Sequence, residues 1–163
     1  MANAGKVISL IGAILTLLGT FFFTLVEGPL VGEYVYGAGG MFNIDDMITA
    51  AIAGGEWQIW ILIVGVFLYL LSGFIQLLGI KSRIAAFFGS LLPIAVATFI
   101  IMVLAGVSAP IVLVVYVLGT EPLVNNIIPI VFEYGFMSFG FGTIFIGFGG
   151  LLALTSVFMS RED

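Results

Sequence analysis

The sequence predicts an all-α membrane protein: four transmembrane helices in two antiparallel hairpins, both termini on one side, and two apolar external loops. Three observations carry this reading. Of 163 residues, 62% are apolar and 8% charged, against about 45–50% and about 25% in a soluble domain, so polar surface is too scarce to keep the chain in water. The apolar residues also fall in runs long enough to cross a bilayer core about 30 Å thick, which takes about 20 helical residues. Finally, cations and most acids are separated along the chain.

The runs place helices at about 6–26, 57–80, 84–106 and 136–159. The first opens at Lys6 and continues to Val26. A cation before an apolar run also fits a secretory signal, but the run is about twice the usual length for one and no clear A-x-A site follows, so it reads as a retained span. The second opens on Trp57 and Trp60, neighbours on one helix face where an external interfacial anchor belongs. The apolar stretch from Ile84 continues to Leu118, about twice what one crossing needs. Gly106-Val107-Ser108-Ala109-Pro110 divides it, while Pro93 kinks the helix rather than ending it.

Lys6, Lys81, Arg83 and Arg161 fall at the N-terminus, in the link between helices 2 and 3, and at the C-terminus. Four crossings put these places on one side. Glu27, Glu33, Asp45, Asp46, Glu56, Glu121 and Glu133 fall in loops 27–56 and 107–135, on the other side. The excess of Lys and Arg marks the cytoplasmic face, so both termini are expected inside a cell membrane.

Loop 1 carries the β-prone segment Leu30 to Tyr36, ended by Gly37, Gly39 and Gly40. Asn43 then fits an N-cap, with Asp45 and Asp46 in the first turn and Gly54 as the C′ stop. Ile44, Met47, Ile48, Ala51 and Ile52 form one apolar face on this short helix. Such a helix either lies at the membrane interface or packs on the helix ends. In loop 2, Ile111 to Val117 is equally β-prone. It can pair with the first segment in a small external sheet, or continue helix 3 above the bilayer. A shift of about 80 residues superposes Val35-Tyr36 on Val115-Tyr116, Gly39 on Gly119 and Asp45-Asp46 on Asn125-Asn126. That pattern suggests a duplication about an axis along the membrane normal, with Pro129 breaking the parallel.

Inside the spans the polar content is neutral. Ser9, Gly12, Thr16, Thr20 and Thr24 recur every three or four residues on helix 1, and Tyr69, Ser72 and Gln76 do so on helix 2. Antiparallel pairing sets Ser9 near Gln76 and Thr16 near Tyr69. Small and hydroxyl residues let helices approach and hydrogen-bond, whereas the same stripe in an oligomer can line a pore. The Thr16 and Thr20 hydroxyls are expected to bond the carbonyl four residues back. Helix 4 is dense in glycine, and Gly140, Gly142, Thr143, Gly147 and Gly150 are the candidates for close contact within the bundle or between subunits.

The chain has no cysteine and no histidine, which excludes disulfides, thiol nucleophiles, imidazole bases and Cys/His zinc sites. No charge lies in the centre of a span, against the pattern of ion-coupled carriers and voltage sensors. Asp45, Asp46 and Glu56 can attract a cation such as Ca²⁺, but a helix N-terminus already accounts for the first two. No enzyme, cofactor or metal is therefore expected. Four spans, both termini inside, extended segments in a larger first loop and a Trp opening helix 2 resemble the claudin-like tetraspan class in layout. The class's W-x-G-L-W…C…C loop signature is absent, so no residue role follows from the resemblance. The expected function is a non-enzymatic, self-associating tetraspan, a structural or accessory subunit of a membrane assembly; the alternative is a homo-oligomeric channel lined by the helix 1 stripe. Expected partners are membrane lipids and further copies of the chain or other membrane subunits, without nucleic acid.

Overall fold

The computed structural model describes residues 3–27, 34–55, 57–106, 118–121, 128–134 and 137–160. Its helices are α1 (Ala4–Phe21), α2 (Ile44–Gly54), α3 (Trp57–Leu78), α4 (Arg83–Leu104) and α5 (Phe141–Val157). Strands β1 (Thr24–Glu27), β2 (Tyr34–Tyr36), β3 (Val131–Tyr134) and β4 (Met137–Gly140) form an antiparallel sheet in the order β2-β1-β4-β3. Helices α1, α3 and α4 are each long and apolar enough to cross a membrane. Helix α5 is equally apolar, but its 17 residues make it only about 25 Å long.

Around the bundle, α1 packs on α5, α5 on α4, α4 on α3 and α3 on α1. Across the α1–α5 contact glycine meets glycine. A Cβ on Gly12 would lie 2.7 Å from the Gly149 carbonyl oxygen, and one on Gly149 would lie 2.7 Å from that of Gly12. A turn-pair further out, a Cβ on Gly19 would lie 2.7 Å from the Gly142 oxygen and 2.9 Å from the Ile146 nitrogen. Both helices repeat glycine at seven residues in opposite directions, so the backbones of α1 and α5 touch at two levels. Close approach of this kind maximises van der Waals attraction, the main force between helices already in lipid.

Two boundaries differ from the sequence reading. Helix α1 stops at Phe21 rather than Val26, with the Phe22 N–H donating to the Leu18 carbonyl at 2.9 Å. The β-branched stretch beyond it becomes β1, pairing Val26 with Val35 on one side and with Phe139 on the other. Helix α5 starts at Phe141 rather than Phe136, because Met137–Gly140 forms β4 and pairs with both β1 and β3. Thus β1 follows α1, β4 leads into α5, and the sheet is built on the two helices in closest contact. A small antiparallel sheet is present, but β3 and β4 supply its second half. The expected strand at 111–117 lies outside the described residues.

Smaller differences follow from local geometry. Helix α3 ends at Leu78 in a turn through Gly79, and α4 runs from Arg83 through Pro93 to Leu104, before Gly106 with φ 80°. Helix α2 keeps its expected start after Asn43, although Asn43 does not cap it through its side chain. It stops at Gly55, not Gly54, because Gly55 takes the left-handed conformation (φ 63°) and its N–H bonds the Ala51 carbonyl at 3.1 Å. Met47 and Ala51 are buried with Ile63 of α3, which places α2 against the outer end of that helix, while Ile52 is exposed. The proposed repeat is not carried through the outer ends: α3 begins at Trp57, whereas the stretch about 80 residues later is strand β4. Of the other superposed positions, 115–116 and 125–126 lie outside the described residues.

One continuous core joins helices to sheet. Val66 and Tyr69 of α3, Ile100 of α4 and Ile146 of α5 pack with Leu25 and Val26 of β1 and Val35 of β2. The cations of the described residues all lie at the opposite end, where the Gly5 N–H meets the Ser160 carbonyl at 3.4 Å and joins the two ends of the chain.

The glycine contacts predict an asymmetric mutational response. Gly12→Val or Gly149→Val forces the backbones apart and should lower stability by roughly 1–3 kcal/mol or prevent folding. At Gly65, where a Cβ would meet nothing within 4 Å, alanine should be neutral or stabilise by up to about 1 kcal/mol through helix propensity. Thermal unfolding in mild detergent measures both; equal responses at Gly12 and Gly65 would contradict the packing.

Candidate functional site

The helix 1 stripe forms a polar seam inside the bundle. Ser9, Gly12, Thr16, Thr20 and Thr24 are all buried, as are Tyr69, Ser72 and Gln76 opposite them. Gln76 is the centre. The Thr16 hydroxyl donates to its Oε1 at 2.9 Å, its Nε2 donates to the Gly89 carbonyl of α4 at 3.0 Å, and the Ser9 hydroxyl donates to its backbone carbonyl at 3.3 Å. One fully buried side chain thereby ties α1, α3 and α4 together. Gly89 permits this, since a Cβ there would lie 2.8 Å from the Gln76 backbone nitrogen and 3.0 Å from its Cγ.

Further out, the Thr20 hydroxyl lies 3.4 Å from the Tyr69 hydroxyl, and the Thr24 hydroxyl donates to the Val35 carbonyl of β2 at 3.3 Å. Ser9 meets Gln76 as the antiparallel pairing requires. Thr16, however, also meets Gln76, and Tyr69 goes to Thr20. The reason is reach: the long Gln76 and Tyr69 side chains carry their polar atoms away from their own Cα levels. The bonds of the Thr16 and Thr20 hydroxyls also cross between helices instead of closing on their own carbonyls. Ser72, Ser90 and Ser156 do bond back, to the carbonyl three residues earlier.

The helix 4 candidates all find partners within the chain. A Cβ on Gly140 or Gly142 would run into the Thr24 carbonyl of β1, and the Thr143 hydroxyl donates to the Leu25 carbonyl at 2.6 Å. Gly147 faces Ala97 of α4, where an added Cβ would lie 3.3 Å from the alanine Cβ, and Gly150 faces Ile94 and Ser90. The residue that closes the bundle, Gly149, is not among those sequence candidates. Its signal was the seven-residue spacing from Gly142, matched by Gly12 and Gly19 on the first helix. Trp57 and Trp60 are both exposed at the outer start of α3.

Between α4 and α5 lies an open apolar cavity of about 380 Å³, bounded by Ala97, Ile101, Leu104, Phe139, Gly147 and Phe148 among others. Its one hydroxyl, on Thr143, already bonds Leu25. At the outer end Asp45 and Asp46 are exposed in the first turn of α2; Glu56 lies outside the described residues. Burial raises the Tyr36 phenol of β2 above its ordinary value of 10.0, against a lowering contribution from Thr24 and a smaller raising one from Tyr34. No family model matches the chain, and neither a curated protein nor a solved structure does.

Chemically, the seam can hold helices together, because each of its hydroxyls has a partner inside the chain. Thr16→Val leaves the Gln76 Oε1 acceptor without its donor and should cost about 1–2 kcal/mol, more than an exposed Thr98→Val, by the measured range for bonds in membranes and for orphaned acceptors. A double-mutant cycle with Gln76→Leu should return a coupling of about 0.6–1.7 kcal/mol; zero coupling would dissolve the pair. For Tyr36 the folded phenol holds its proton more tightly than the unfolded one. Its share of stability is therefore complete below pH ~10 and lost as pH rises beyond it, and Tyr36→Phe should remove that alkaline dependence in a pH-resolved unfolding series.

Proposed function

We propose that the chain is a non-enzymatic, four-span membrane protein with both termini in the cytoplasm, serving as a structural or accessory subunit of a membrane assembly. The observation that carries the reading is the sealed seam: Ser9, Thr16, Thr20 and Thr24 all have partners within the chain. A pore lined by this stripe would have to break those bonds between helices before water could enter. The structural role needs no such opening.

Helix α5 is read as the fourth crossing because it lies alongside α1 from Gly19–Gly142 to Gly12–Gly149. It therefore covers much of the depth that α1 covers, and it returns the chain to the end where Gly5 meets Ser160. The separation of Lys6, Lys81 and Arg83 from Glu27, Asp45, Asp46 and Glu121 supports the orientation. Since the α5 glycines face α1, β1 and α4, self-association falls to exposed apolar faces rather than to those glycines, and α3 and α4 offer such faces with Phe67, Phe74, Phe88 and Leu91. Kinship with the claudin-like tetraspans enters this proposal only as a likeness of layout.

Two measurements test the proposal. In a chain without cysteine, Asp45→Cys should react from outside the cell with a membrane-impermeant thiol reagent, and Ser160→Cys only after permeabilisation. The reverse pattern would overturn the orientation. Reconstituted in planar bilayers, the protein should pass no current while forming a defined oligomer or complex in mild detergent. Single-channel currents abolished by Thr16→Val at unchanged oligomer mass would establish the channel instead.

A further inference from the structure

At the cation-bearing end three helices converge on one point. The Cβ position of Gly79 lies 2.7 Å from the Ser9 hydroxyl of α1 and 2.8 Å from the Ala86 Cβ of α4. Lys81 follows two residues after Gly79, Arg83 lies three before Ala86, and Lys6 lies three before Ser9. The link carrying Lys81 and Arg83 is held by backbone bonds from Lys81 and Ser82 to the Leu78 carbonyl, both 3.0 Å. Ser82 also accepts the Ala85 N–H through its hydroxyl. Two exposed cations thus stand two residues apart where a hydrogen-bonded turn leads into α4.

Exposed apolar residues flank them along the chain: Leu78 at 63%, Ile84 at 70% and, one helical turn on, Phe88 at 62%. The described acids, Glu27, Asp45, Asp46, Glu121 and Glu133, belong to the outer loops and sheet. A guanidinium offers a planar fork of donors and an ammonium a compact charge, the two groups proteins use for phosphate oxygens. Cations at a membrane surface with an apolar ledge on the bilayer side complement a ligand that is anionic at one end and apolar below it.

We propose that the Lys81–Arg83 turn binds the headgroup of an anionic phospholipid from the leaflet at that end, its acyl chains lying on Leu78, Ile84 and Phe88. Arg83 engages the phosphate through its fork, and Lys81 adds a second positive charge beside the same anion. The site rests on the membrane-spanning reading. If that reading failed, all lipid retention would be lost; if the site failed, only the preference among lipids would be.

The test is native mass spectrometry of the full chain from micelles containing equal phosphatidylglycerol and phosphatidylcholine. The wild type should retain phosphatidylglycerol in preference by roughly fivefold for each cation engaged, the scale of a basic residue near an anionic surface. Lys81→Gln with Arg83→Gln should abolish the preference while leaving the thermal transition in phosphatidylcholine unchanged. Equal retention of the two lipids by the wild type, or a preference surviving in the double variant, would overturn the site. As a check that needs no variant, the wild-type preference should fall between 50 and 500 mM salt as screening sets in; a salt-independent preference would overturn it too. Millimolar inorganic phosphate separates the sources of the anion. A lipid site keeps its lipid, whereas displacement by phosphate would mean that the turn binds the free ion and the proposal of a lipid is wrong.

Discussion

The backbone contact between α1 and α5 is the constraint on which the rest of the structure depends. Gly12 against Gly149 and Gly19 against Gly142 leave no room for a side chain at these four positions. In lipid no hydrophobic force draws helices together, so contact of this kind is the main attraction available. Its consequences run upward. With α1 and α5 in register, β1 and β4 emerge side by side and pair, and Gly140 and Gly142 admit the Thr24 carbonyl. The Thr143–Leu25 bond then fixes helix to strand.

The same constraint sets the seam. Once α5 occupies the glycine face of α1, the hydroxyls beside that face turn to α3 and find Gln76 and Tyr69. A buried amide without partners would cost several kcal/mol in hydrocarbon, on the order of 2–7 by transfer estimates. Here both ends of the Gln76 amide are satisfied, by Thr16 and Gly89. Packing, sheet and polar seam therefore support one another, as the agreement of local choices with a single fold requires.

Much of the helical architecture was legible in the sequence, because runs of about 20 apolar residues have few alternatives in a membrane. The starts of α2 and α3, the extended segment ending at Tyr36 and the shared face of Ser9 to Thr20 all followed from spacing and propensity, whereas Thr24, expected on that helical face, lies in β1. The outer ends of α1 and α5 did not. Thr24 to Val26 and Met137 to Phe139 continue apolar runs without a break, and hydropathy does not record where a helix becomes a strand. Each of these strands has a partner nearby in the chain, β2 for β1 and β3 for β4, but the pairing that joins the two halves, β1 with β4, links residues more than 100 positions apart, which no local window contains. The role of Gly149 was hidden for the same reason: glycine density marked the helix, but only the matching heptad on α1 selects the face. The crossing of Thr16 to Gln76 depended on side-chain reach, which residue spacing alone does not encode.

The measurement closest to the central claim leaves the chain unmutated. Solid-state NMR of lipid-reconstituted protein carrying ¹³C-labelled glycine reads contacts between glycine backbones directly. Cross-peaks between Gly12 and Gly149, and between Gly19 and Gly142, should appear and should persist when labelled chains are diluted into unlabelled ones. Their absence, or their loss on dilution, would place the glycine faces elsewhere or between copies and contradict the account.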